Sequence, residues 1–333
     1  MNKLLTAALC CALALAALPA RAQPDFDSVL REAEALAPLE TLIVARDGEI
    51  LLERGFRGHQ TTAPTNIKSA SKAVISALVG IAIGKGLLDG PEQKVAPLLA
   101  DKLPADRDPR LDAITLGHLL SMQAGLGRTS GPNYGRWVAS DDWVRAALAQ
   151  PFVGEPGGGM LYSTGNTHLL SAILTRVTGR STLALARAWL APLEGFAIAD
   201  WMRDPQGIYF GGNQMAMSPR SLLAFAELYR NGGRAGGEQV LPPEWIEQSW
   251  QPRTQSVFHD DLYGYGWFLG ETEGHRVAYA WGYGGQMAYV VPDLALSVVM
   301  TSADNRASAR SGHRDDLHAL LRAIVAAVKN GEA

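Results

Sequence analysis

The sequence predicts an α/β chain in which one antiparallel sheet, flanked by the first and last helices, is interrupted by a mostly helical insertion. Three observations carry that prediction. Asp47-Gly48 stands between two apolar runs, LETLIVA and ILLERGF, the pattern of a strand hairpin closed by a tight turn. Aromatic and β-branched runs return only in the last third, as YGYGWFL, RVAYAW, QMAYVVP and LALSVVMTS, each bounded by turn residues. Between these groups, residues 91–235 read as helical segments joined by Gly- and Pro-rich connections. With 333 residues, 47% hydrophobic and 19% charged, the chain can bury a large core.

Taken in order, DFDSVLREAEALA (Asp25 to Ala37) places apolar residues at helical spacing behind an acid, which predicts a first helix. The hairpin follows. A long apolar helix is expected from near Ser69 to about Gly84, where GKG ends it. The insertion supplies helical segments near Leu116 to Gln123, Asp141 to Leu148, Thr167 to Val177, Leu183 to Leu190 and Pro219 to Asn231. After the late strands, Ala307 to Lys329 reads as a closing amphipathic helix. The expected division is an α/β subdomain of residues 23–90 plus 236–333 around a helical subdomain of residues 91–235. No internal repeat or low-complexity tract is present.

Ahead of these elements, Lys3, an apolar run from Leu4 to Leu18, Pro19 and the small-residue pattern Ala20-Arg21-Ala22 read as a secretory signal peptide, residues 1–22, cleaved after Ala22. The run falls short of the roughly 20 apolar residues of a membrane span, so no stable membrane anchor is expected after cleavage. A secreted, periplasmic protein is the expectation. Both cysteines, Cys10 and Cys11, lie in that leader, so the mature chain is expected to lack disulfides, a thiolate nucleophile and thiolate-ligated zinc. Losing Lys3 and Arg21 with no acid lowers the formal charge by two from −3, and there is no basic stripe, which argues against nucleic acid as a ligand. Nothing in the pattern fixes an oligomeric state.

Within NIKSASKAVISALVG, Ser69 and Lys72 stand three apart at the head of a helix that is apolar nearly all round. Residues i and i+3 share a helix face, so the amine lies within reach of the hydroxyl. Burial among Ile75, Leu78 and Val79 disfavours the ammonium, and a neutral amine near pH 7 can take a serine proton. The Ser69 N–H, unpaired at a helix start, can donate to an oxyanion. Alone the pair is a weak motif, since about 0.4 occurrences of S-x-x-K arise by chance in such a composition.

The pair does not stand alone. SASKAVISALVGIAIGKGLL, ITLGHLLSMQAGL, LYSTGNTHLLSAILTRVTG, GGNQMAMSPRSLLAFAELYRNGG and VLPPEWI together resemble the serine β-lactamase and penicillin-binding-protein superfamily. The likeness runs over nearly all of the mature chain. It is nearest to the class C-like branch, with its β-lactamases, D-aminopeptidases, family VIII carboxylesterases and 6-aminohexanoate-dimer hydrolases. The resemblance implies a β-lactamase-like fold and no cofactor or metal. It also implies that Tyr162, opening Tyr162-Ser163-Thr164, hydrogen-bonds Ser69 and Lys72 and protonates the leaving group. Thr164 occupies the place of an asparagine expected to touch the substrate. Asn166 lies two residues on; it either contacts substrate or caps a helix starting at Thr167.

The third motif of the superfamily, Lys/His-Thr-Gly-x-x-Gly, matches Ala280-Trp281-Gly282-Tyr283-Gly284-Gly285 in its glycines, Gly282 and Gly285. By the resemblance, the Tyr283 N–H is the second oxyanion donor beside that of Ser69, and Trp281, Gly282 and Gly285 border the substrate. Ala280 replaces the cation and Trp281 the hydroxyl, so the usual anchor for a substrate carboxylate is missing. That departure fits the esterases and nylon-oligomer hydrolases of the branch better than its lactamases.

The seven histidines show no compact metal spacing. His118 is expected to be a hydrogen-bonded core residue, His168 to lie near the site, and His313 and His318 to be solvated on the last helix. Tyr134, Trp137, Tyr263, Tyr265, Trp267 and Trp281 are candidates to line an apolar cleft. Asn305 and Arg306 are candidates to hold a carboxylate. No G-x-S-x-G elbow or dinucleotide fingerprint occurs. The expectation is a secreted, cofactor-free serine hydrolase acting on a small ester or amide through an acyl-enzyme. Its rivals are a class C-like β-lactamase or D-amino-acid peptidase, and an inactive penicillin-recognising binding module.

Overall fold

The computed structural model describes residues 24–331, so the expected leader with Cys10 and Cys11 lies outside the described residues. The hairpin forms as predicted. Leu39–Arg46 and Glu49–Gly55 pair antiparallel across Asp47-Gly48, with Asp47 at φ 51 and Gly48 at φ 86, the left-handed pair a type I′ turn needs. They form one edge of an eight-stranded antiparallel sheet, in the order 49–55, 39–46, 296–302, 286–291, 275–282, 268–272, 262–263, 254–255. The first long strand therefore pairs with the last, Val44 opposite Val298.

Side chains alternate across this sheet with the period of two that strands impose. Leu42, Val44, Tyr279, Tyr289, Val298 and Met300 face one side, where Asp27–Ala35 and His313–Asn330 cover them with Val29, Leu317, Leu321 and Ile324. Ile43, Ala45, Ala278, Ala280, Ala288 and Val299 face the other, against Ser71–Gly84 and Pro219–Arg230. Flanking by the terminal helices is thus as the sequence implied. Pro219–Arg230, grouped with the insertion by sequence, lies across the central strands, because Leu222, Phe225 and Ala226 form an apolar stripe that only the sheet can cover.

A second, three-stranded sheet ties Thr65–Asn66 to Met215–Met217 and Asp200–Trp201. It fixes the approach to the apolar helix, since the Ile67 N–H donates to Met215 O at 2.9 Å. Three expectations need correction. The helix at Ser69 starts as a 3-10 turn, Lys68–Ala70, and becomes α-helical only at Ser71. The closing helix is two, Ser308–Ser311 and His313–Asn330, broken at Gly312 with φ 80. YGYGWFL is not one strand; Leu262–Tyr263 and Phe268–Thr272 are joined by a turn in which the Gly264 N–H donates to Trp267 O. No helix among the described residues is long and apolar enough to cross a membrane.

Candidate active site

The 3-10 turn presents Ser69 half-buried at the mouth of the apolar helix. Lys68 holds this turn at φ 52, a left-handed conformation uncommon outside glycine; its N–H donates to Asn66 Oδ1 at 3.0 Å and its carbonyl accepts from Ser71 Oγ at 2.7 Å. One turn on, Lys72 is 1% exposed. Its Nζ donates to Ser69 Oγ at 3.1 Å, to Gly212 O at 2.6 Å and, at 3.4 Å, to Thr164 Oγ1. Burial alone lowers its pKa to about 7, because the ammonium loses its hydration and no carboxylate compensates.

Tyr162 completes the cluster from the insertion. Its phenol faces Ser69, and burial pushes it up to about 12, against the opposing pulls of Ser69 and of Arg128. The phenol is therefore a proton donor near neutral pH rather than a base. The contact with Lys72 differs from the expected one: Nζ lies over the ring, 5.2 Å from its centroid. Arg128 Nε donates to Tyr162 O at 3.0 Å and fixes the backbone that carries the ring.

On the far side, the turn after His275–Gly282 carries Tyr283, half-exposed. A methyl on Gly282 would stand 2.2 Å from Ile67 O, so only glycine lets this strand end meet the segment leading into Ser69. That approach sets the Tyr283 and Ser69 turns side by side. Gly285, at φ 116, closes the same turn against Ser302 and Leu317. Ala280 is buried on the face of the apolar helix and brings no cation there. Trp281 points to the opposite face, where its Nε1 donates to Ser308 Oγ at 3.1 Å and the Arg314 guanidinium lies 5.6 Å over its ring.

Asn166 is 4% exposed and sits inside the first turn of Thr164–Thr178, whose N-cap is Ser163, so it does not cap a helix. The helix starts early because Thr129 and Ser130 satisfy its first amides: Thr129 Oγ1 accepts from Gly165 N at 2.7 Å and Ser130 Oγ from Thr164 N at 2.8 Å. Of the aromatic candidates, Trp137, Tyr263, Tyr265 and Trp267 are core. Tyr134 borders the site through Asn213 Nδ2 at 3.5 Å, and Trp281 flanks it through Phe258. Asn305 and Arg306 are exposed beyond the last strand, where their neighbour Asp304 pairs with Lys68 at 2.7 Å.

Among the histidines, His118 accepts from the Thr115 N–H and closes a helix cap. His313 and His318 are not solvated. His313 Nε2 lies 2.9 Å from Ser302 Oγ, and His318 meets the rings of Tyr279 and Tyr289, because the break at Gly312 turns this face of the helix onto the sheet. Among the described residues no group of three or more His, Cys, Asp or Glu is placed to hold a metal.

Sequence reasoning missed Gly212, Ser130, Arg128 and Phe258. Phe258, 41% exposed, stands edge-on to both Tyr162 and Trp281, with centroids 5.1 and 5.6 Å away. Its signal was an apolar pair, Val257-Phe258, in an otherwise polar loop.

A serine hydroxyl bonded to a buried amine and faced by a protonated phenol, beside a glycine-bordered turn, is an arrangement able to support acyl transfer. A family model described as Beta-lactamase matches residues 33–323, and the chain belongs to that family. A 6-aminohexanoate-dimer hydrolase of Paenarthrobacter ureafaciens is 25% identical over 67% of this chain, which spans only 59% of that relative's length. Among solved structures, EstCE1, a hydrolase with promiscuous acyltransferase activity, superposes with a TM-score of 0.71 at 18% identity, covering 89% of this chain and 98% of that one. A D-stereospecific amidohydrolase from Streptomyces sp. gives 0.68 at 17% identity, covering 88% and 98%. These structural likenesses show the β-lactamase-like fold.

Proposed function

We propose that the protein is a serine hydrolase that cleaves esters or amides with no charge next to the scissile bond, through an acyl-enzyme. The observation that carries this reading is the buried Lys72 amine 3.1 Å from Ser69 Oγ, with a pKa of about 7. In its neutral form Lys72 takes the Ser69 proton as Oγ attacks the substrate carbonyl. The Ser69 and Tyr283 amides hold the oxyanion. As the tetrahedral adduct collapses, the C–O or C–N bond breaks and Tyr162 delivers its proton to the leaving group, leaving a phenolate beside the Lys72 ammonium that holds the Ser69 proton. Water then attacks the acyl carbon by the same path in reverse, and Ser69 is regenerated.

The substrate class follows from what surrounds the serine. Ala280 and Trp281 leave no cation on the strand beside it, and the ammonium of Lys68 is already paired with Asp304. Trp281 and Phe258 instead present an apolar wall next to Tyr162. A β-lactam, whose carboxylate lies beside the scissile bond and needs a partner there, is disfavoured by the cost of an unpaired charge; the carboxylate of a 6-aminohexanoate oligomer lies five methylenes from its amide. The likeness to a 6-aminohexanoate-dimer hydrolase supports the amide arm of the reading.

The test is turnover of p-nitrophenyl butyrate, a 6-aminohexanoate oligomer and nitrocefin by the purified protein and its Ser69→Ala variant. Ester or amide turnover that Ser69→Ala abolishes, with the thermal melt unchanged and nitrocefin slower, is expected. Equal turnover by both proteins, or a preference for nitrocefin, would overturn the proposal.

A further inference from the structure

His168 and Asp204 form a pair with no exposed side-chain surface, Nε2 to Oδ2 at 3.0 Å, inside a cage of Trp137, Trp143 and Phe210 rings. A polar pair in such a cage is costly unless its hydrogen bonds are met. Its outward connections are specific. The other ring nitrogen, Nδ1, faces the Gly211 N–H at 3.4 Å and is the acceptor there, which leaves the ring proton on Nε2, donated to Asp204. Asp204 Oδ1 is itself held by the Gln206 and Ile208 N–H groups at 2.9 and 2.8 Å.

The next residue carries the shortest contact that Lys72 makes, Gly212 O at 2.6 Å. This turn leaves no room for side chains. A methyl on Gly211 would stand 2.1 Å from Thr167 O, and one on Gly212, at φ 83, would stand 2.6 Å from Lys72 Cγ. Thr167 Oγ1 donates to Gly211 O at 3.0 Å, so the turn is gripped from both ends by adjacent residues of one helix.

We propose that His168 and Asp204 are a positioning dyad: Asp204 selects the His168 tautomer whose bare Nδ1 accepts from Gly211, and the turn so held aims the Gly212 carbonyl at Lys72 Nζ. Neither residue touches the reacting atoms. The dyad fixes where the amine points and how many acceptors it has.

Asp204→Asn isolates this role. The substituted amide keeps an oxygen for the two turn N–H groups but sets its NH2 against Nε2, so the ring must carry its proton on Nδ1, facing another N–H. The conflict dislodges Gly211-Gly212 and deprives Lys72 of an acceptor that favours its ammonium form. The expected result is an acid limb of kcat/KM for p-nitrophenyl butyrate moved to lower pH by about half a unit or more, kcat down about tenfold, and KM within about twofold. A folded Asp204→Asn protein with an unmoved limb and unchanged kcat overturns the proposal.

A second measurement needs no variant to fold well. Long-range 1H–15N spectra of the wild-type protein at about pH 7.5 should show a caged histidine protonated on Nε2 alone; an Nδ1–H or doubly protonated ring overturns the dyad. The inference rests on Lys72 acting as the base, yet the tautomer is read without turnover. Failure of that mechanism and failure of the dyad are therefore told apart.

Discussion

Lys72 carries two opposed consequences of one burial. Its pKa falls from 10.5 to about 7, so the folded state lacks a proton that the unfolded state keeps between those values. Stability therefore rises with pH across that interval, and at pH 7 the buried amine costs the fold roughly 3–5 kcal/mol. Lys72→Met, of similar volume, should raise the melting temperature at pH 7 by several degrees while abolishing turnover, with the gain shrinking toward pH 10. A lower melting temperature at pH 7 would show that the ammonium is not desolvated. For the active protein, kcat/KM should fall below about pH 7 as Lys72 gains its proton, with no alkaline limb from Tyr162, whose phenol is pushed up to about 12. Ser69 and Lys72 were legible in the sequence because they share a helix turn, and Tyr162 through the family resemblance that its motif helps to carry. Gly212 and Ser130 were not. Each reaches the site from a distant loop whose course no local pattern encodes.

At the level of elements, the site is assembled where two turns meet, and glycine at position 282 is the condition for their meeting. Gly282→Ala places a methyl 2.2 Å from Ile67 O and must push the strand end away from the Ser69 turn. On the proposed mechanism this removes the Tyr283 oxyanion donor; losing one such donor lowers kcat by about 10²–10³, and that is the expected fall in ester turnover, with KM little changed. Gly135→Ala, whose methyl meets nothing within 4 Å, should leave both constants as they are. A Gly282→Ala protein as fast as the parent would remove Tyr283 from the oxyanion site. The same scale explains which elements the sequence revealed. The hairpin was plain, because Asp47-Gly48 dictates its own turn. The start of Thr164–Thr178 and the break at Gly312 were hidden, since the first depends on hydroxyls of Thr129 and Ser130 and the second on one left-handed glycine within an otherwise helical pattern.

Across the whole molecule, the site depends on a sheet whose neighbouring strands are far apart in sequence. Thr41 and Thr301, 260 positions apart, share a hydrogen bond at 2.6 Å between the first long strand and the last. The central strands can be buried on one side only after His313–Asn330 docks. That helix inserts Leu317, Leu320, Leu321, Ile324, Val325 and Val328, each at most 1% exposed, against Val44, Tyr289, Val298 and Met300. Burying six such side chains is worth roughly 9–18 kcal/mol, an upper bound comparable with the whole stability of a typical domain, about 5–15 kcal/mol. A chain ending at Ala307 should therefore lose its cooperative thermal transition and its near-ultraviolet circular dichroism, although it retains Ser69, Lys72, Tyr162 and Tyr283. The alternative is that the insertion and the apolar helix hold the site without the sheet's far cover. In that case the truncated protein would still melt cooperatively and still be labelled at Ser69 by a fluorophosphonate, and the dependence of the site on the terminal helix would be refuted.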